Sequence, residues 1–149
     1  MRILFATAGP VTAQENADYV VNIAKKLGAE LTVLHVSNER DEHKEGEKAL
    51  RFIFESGKKT HVQITGILQT GDIISQIVRI AEKESSAMII MGASRGMLLN
   101  EWLSSYVKQK TKIPEKLACP WMRRLDPNWL KNKEYYPKHH KKPTYKKKK

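Results

Sequence analysis

Residues Ala87 to Gly96 read AMIIMGASRG, and this stretch decides the fold class. Ala87 to Met91 run without a polar break, which suits a short strand buried on both faces. Gly92 and Gly96 then bracket small and basic residues. Beyond them Leu99, Trp102, Leu103, Tyr106 and Val107 recur at helical spacing. Strand, glycine loop, helix is the arrangement by which α/β proteins offer backbone N–H groups to a phosphate. It is also the one by which they present a nucleophile.

The same alternation runs through the rest of the chain. Ile3-Leu4-Phe5-Ala6 reads as a first strand, and Thr7-Ala8-Gly9-Pro10 as the turn that ends it. Thr12 with Glu15 forms a T-x-x-E capping box, so a helix is predicted from there. Its apolar face is Ala13, Ala17, Val20, Val21, Ala24 and Leu27, and Gly28 sits at the C-cap. Leu31 to Val36 is a second strand ending beside His35, read as a packed strand-end residue and not as a base. A charged stretch from Asn38 to Lys48 leads to a second helix with Ala49, Leu50, Ile53 and Phe54 inward, and Gly46 interrupts its start. Val62 to Leu68 is a third strand. Asp72 N-caps a third helix that turns Ile74, Ile77, Val78 and Ala81 inward. A fourth helix runs through Trp102 to Lys110, with Trp102 and Tyr106 in the core or on a dimer surface. Pro114 breaks it or opens a new turn. Leu117 to Met122 enters a fifth strand that Arg123 and Arg124 cut short.

Strands alternating with helices predict an α/β domain with a parallel sheet. Ligands on such sheets lie beyond the carboxyl ends of the strands, where the winding reverses. If strands one and four are neighbours, the loops Thr7 to Pro10 and Gly92 to Gly96 face each other across that crevice.

Composition sets the class. The chain has 149 residues, 40% of them hydrophobic, enough for one domain with one core. No apolar run approaches the ~20 residues that span a bilayer, and Ile3 to Ala6 is too short for a signal segment. Cys119 is the only cysteine, which rules out a disulfide framework or a cysteine-built zinc site and fits a reducing, cytoplasmic home. It reads as a small buried residue and not as a reactive thiol. The net charge of +11 is concentrated at one end: residues 123–149 carry 11 Lys/Arg against two acids. The expected boundary is therefore near Leu125, with a domain over 1–125 and a lysine-rich, disordered tail over 126–149. Trp129, Tyr135, Tyr136 and Tyr145 lie between the tail lysines, a pattern suited to single-stranded nucleic acid or another anionic partner. The paired His139 and His140 have no neighbouring cysteine or acid pattern, and no metal is expected.

Several of these stretches together resemble the universal stress protein family: Ile3-Leu4-Phe5 before a glycine turn, GAELTVLHV over Gly28 to Val36, Gly71-Asp72, MGASRG over Met91 to Gly96, and Ala118-Cys119-Pro120. The resemblance covers roughly residues 2–122. It implies a single open five-stranded parallel sheet, order 3-2-1-4-5, with helices on both faces, in a Rossmann-like, nucleotide-binding α-hydrolase-like fold. It also implies a homodimer, often formed through strand five. Arg123 and Arg124 would place like charges near their symmetry mates there.

One branch of that family binds ATP and another does not. Carried over residue by residue, the ATP-binding pattern puts its first glycine on Gly92 and its second on Arg95, with Gly96 one residue late. Ser105 and Tyr106 stand where a later Gly and Ser/Thr pair falls, and Ala8 before Gly9 stands where that branch has an aspartate. The implied cofactor-binding residues are Thr7, Ala8, Gly9, Val36, Met91, Gly92, Ser94, Arg95, Gly96 and Ser105. Adenine would lie against the first two strand ends and phosphates against the Gly92 loop. The expected function is a stress-response regulatory domain that binds ATP or another adenine nucleotide through a degenerate motif, without turnover. The alternative is a stress protein that binds no ATP and acts through dimerisation and its basic tail.

Gly92-x-Ser94-x-Gly96 also matches the nucleophile elbow of α/β-hydrolases. That chemistry needs a later acid and histidine to activate Ser94, and the only later histidines, His139 and His140, lie in the lysine-rich tail. A hydrolase is disfavoured. So is a response-regulator receiver, because no acid follows the first strand.

Overall fold

A computed structural model describes residues 1–37, 43–92 and 99–118, with side chains other than those of 99–104 and 116–118. In chain order the elements are β1 (Arg2–Thr7), α1 (Pro10–Leu27), β2 (Glu30–Ser37), α2 (His43–Lys58), β3 (Ile64–Thr70), α3 (Ile73–Lys83), β4 (Met88–Gly92), α4 (Leu99–Lys110) and β5 (Glu115–Ala118). The strands form one sheet in the order β3-β2-β1-β4-β5, with every pair parallel.

Side chains alternate across a strand, so each strand supplies both layers of the core. Ile3, Phe5, Leu31, Val33 and Ile90 pack against Ala13, Ala17, Val20, Val21 and Ala24 of α1 and Ala49, Leu50 and Ile53 of α2. Leu4, Ala6, Leu34, Ile89 and Met91 pack on the other face, against Ile77, Ile80 and Ala81 of α3 and Val107 of α4. Burial on both faces is why β1 and β4 read as unbroken apolar runs.

Several boundaries differ from expectation, each for a local reason. Helix α1 begins at Pro10, not at a Thr12 capping box. Its N-cap is Gly9, at φ 155°, and no side chain caps it. Proline is pre-set for the first helical position, and Gly9 occupies a region of backbone space that is essentially closed to other residues. Thr12 is thus three positions into the helix, buried. Leu27 is 46% exposed because it lies at the end of α1, just before the left-handed Gly28. Phe54 is 37% exposed, at the rim of the α2 face.

Gly46 does not interrupt α2; it lies inside the helix and is buried, where a Cβ would come within 2.7 Å of His35 and 2.8 Å of Leu68. The glycine lets α2 press directly on β2 and β3. Strand β3 is displaced two residues towards the C terminus, because its register follows β2, from Leu31↔Ile64 to Ser37↔Thr70. Pro114 opens β5 and not a helical turn. It has no N–H to donate, but its carbonyl accepts from the Ile89 amide at 2.8 Å. The predicted strand residues from Cys119 to Met122 lie outside the described residues.

Candidate functional site at the reversal of the sheet

The winding reverses between β1 and β4. From β1 the chain proceeds through β2 to β3 on one side, then crosses back to β4 and β5 on the other. The crevice beyond the carboxyl ends of β1 and β4 is where such a sheet has room for a ligand. Ala6 pairs with Met91, so Thr7 and Gly92 emerge from neighbouring strands.

Thr7 organises the loop that follows it. Its hydroxyl accepts from the Gly9 amide at 3.2 Å and donates to the Gly9 carbonyl at 3.0 Å. The Gly9 carbonyl in turn accepts from the Ala13 amide at 2.9 Å, which joins the loop to α1. No acid occupies the first turn of α1. That end of the helix therefore carries the positive pole of its dipole with no carboxylate in its own first turn. Ala8 and Val11 are exposed beside it, Val11 by 65%.

On the β4 side, Gly92 is placed where a Cβ would overlap the Thr12 methyl group and come within 3.3 Å of Asn16 and Phe5. The missing side chain is what lets α1 cross the end of β4. Met91 points to the opposite face and is core. Val36 is half-buried on that same face, packed against the α3–α4 core. Ser105 is exposed and lies in the second half of α4. Ser94, Arg95 and Gly96 lie outside the described residues, as do Cys119, Arg123, Arg124, His139, His140 and the whole lysine-rich tail.

One further feature, the contact between His35 and Thr7, was not legible in the sequence. His35 is 4% exposed, and its Nδ1 stands 3.2 Å from the Thr7 carbonyl oxygen. Its nearest sequence signal is only that it falls at a strand end. Asp72, by contrast, is the N-cap expected: its carboxylate accepts from the Ser75 amide at 2.9 Å. That backbone hydrogen bond, together with the Ser75 side chain, holds its pKa below the ordinary 3.8. Among the described residues no group of three or more His, Cys, Asp or Glu is arranged to hold a metal ion. No described helix is long and apolar enough to cross a membrane. A separate open cavity of about 520 Å³ is lined by Glu82, Thr111, Ile113 and three lysines, Lys108, Lys110 and Lys112. It lies at the amino end of β5, away from the Thr7–Gly9 loop at the carboxyl end of β1.

The family model described as "Universal stress protein family" matches residues 1–114. This chain belongs to the universal stress protein family. A universal stress protein family structure from Burkholderia pseudomallei is 18% identical, with TM-score 0.65 over 78% of this chain and 94% of the other. One from Archaeoglobus fulgidus, in complex with dAMP, is 16% identical, with TM-score 0.64 over 78% of this chain and 96% of the other. One from Arabidopsis thaliana with AMP bound is 16% identical, with TM-score 0.60 over 85% of this chain and 97% of the other. At these identities the likeness is one of fold. A search of curated proteins finds no match.

Proposed function

We propose that this universal stress protein domain binds an adenine nucleotide in the crevice beyond β1, β2 and β4, and acts through binding and not turnover. The observation that carries the reading is the β1–β4 pairing, which sets the Thr7–Gly9 loop beside the Gly92 end of β4. The dAMP and AMP complexes of proteins with this fold support the same ligand class. Thr7, Ala8, Gly9 and Val36 would meet the nucleoside, largely through backbone and apolar contact.

With ATP as the ligand, the phosphates would extend from Gly92 towards Ser94, Arg95 and Gly96. Arg95 supplies a guanidinium where the ATP-binding branch has a glycine, and a charge-assisted bond replaces part of a backbone nest. Ala8 supplies no carboxylate, so the ligand would depend little on magnesium. Replacing Arg95 with alanine should then weaken ATP by ~1.5–3 kcal/mol and leave adenosine nearly unchanged. Calorimetry with ATP, AMP and adenosine on both proteins tests this. Equal losses for ATP and adenosine would remove Arg95 from the phosphate site. No binding of any of the three at millimolar concentration would overturn the reading itself.

A further inference from the structure

We infer that His35 is a positioning residue for the loop Thr7-Ala8-Gly9, a role that bears on nucleotide affinity only if the proposed binding site is correct. Thr7, the last residue of β1, is paired with His35 of β2. The Thr7 carbonyl takes a side-chain partner there, the His35 ring at 3.2 Å. A carbonyl oxygen only accepts, so this contact is a hydrogen bond when the proton is on Nδ1. The peptide plane between Thr7 and Ala8 is thereby fixed through its carbonyl, and the Thr7 hydroxyl fixes both polar groups of Gly9. One histidine and one threonine together set the backbone of the loop that borders the crevice.

The ring has little freedom to leave this position. It is 4% exposed, and the absent side chain of Gly46 leaves just enough space for it beneath α2. A side chain held in one place by packing, with its nitrogen aimed at a loop carbonyl, is how a rigid scaffold positions a binding loop.

Asparagine and glutamine separate positioning from packing. The asparagine amide nitrogen is bonded to Cγ, as histidine Nδ1 is, whereas the glutamine nitrogen lies one bond further out, where histidine has Nε2. His35→Asn should restore the bond to Thr7, and His35→Gln should fill more of the volume without restoring it. In the full-length, nucleotide-free protein, hydrogen exchange at the Gly9 amide should be about ten-fold faster in His35→Gln and within about two-fold of wild type in His35→Asn. AMP affinity should follow the same order.

If packing were the whole role, the smaller asparagine would be the worse variant, and that order would overturn the inference. So would Gly9 protection unchanged in His35→Gln. The wild-type protein gives an independent check that needs no variant: its imidazole ¹⁵N shifts should report a protonated Nδ1, and an unprotonated Nδ1 would overturn the hydrogen bond. Failure of wild type to bind AMP, with Gly9 exchange still responding as described, would overturn the nucleotide reading and leave the role of His35 standing.

Discussion

Gly92 has no side chain, and the position of α1 depends on that. Thr12, Asn16 and Phe5 close around the place a Cβ would occupy. Two of these are α1 side chains and the third is a core ring of β1, so the space cannot be recovered by swinging a flexible terminus aside. Gly92→Ala should destabilise the domain by ~1–3 kcal/mol through overpacking. The check is a lower urea midpoint with an unchanged slope. A variant as stable as wild type would contradict the close crossing of α1 over β4. The residue scale also shows where sequence reading reaches its limit. Thr7, Gly9 and Gly92 are visible as turn chemistry because small residues and glycines after an apolar run are a local signal. The bond from His35 to Thr7 is not visible, because it joins residues 28 apart that only the β1–β2 register brings together.

At the scale of elements, α3 is the clearest case of sequence and structure agreeing. Gly71-Asp72 before an amphipathic run reads as a helix start, and Asp72 caps Ser75. Asp72→Ala should cost about 1 kcal/mol, and Asp72→Asn much less, since asparagine also caps. The pH dependence has a definite sign. The cap lowers the folded-state pKa below the ordinary 3.8, so its contribution is complete above that value and is lost as pH falls through the folded pKa. The gap between wild type and Asp72→Ala in thermal unfolding should therefore be full at neutral pH and close below about pH 4. A gap that persists undiminished in acid would mean that the carboxylate is not the stabilising group. Other boundaries were less legible, and for a shared reason. Gly46 is a weak helix former by propensity, yet α2 runs through it because the close contact with His35 requires a residue without a side chain. Strand β5 begins at Glu115 because β4 offers the Ile89 amide to Pro114, a partner that no local pattern announces.

At the scale of the whole molecule, the charge and the proposed site lie in different parts of the chain. Residues 1–122 carry a net +2, while residues 123–149 carry +9. A polycation attracts any polyphosphate without reading its base, and does so less at higher salt. ATP binding alone would therefore not separate a nucleotide site in the domain from nonspecific attraction to the lysines. AMP carries less charge and the same base, which makes it the better probe of the crevice. The most direct measurement is a titration of the full-length protein with AMP at about 0.15 M salt, followed through the backbone amide resonances. The account predicts that the amides of Thr7, Ala8, Gly9, Val36 and Gly92 shift together and saturate with a single dissociation constant. Shifts confined to residues 126–149, or none at millimolar AMP, would contradict it.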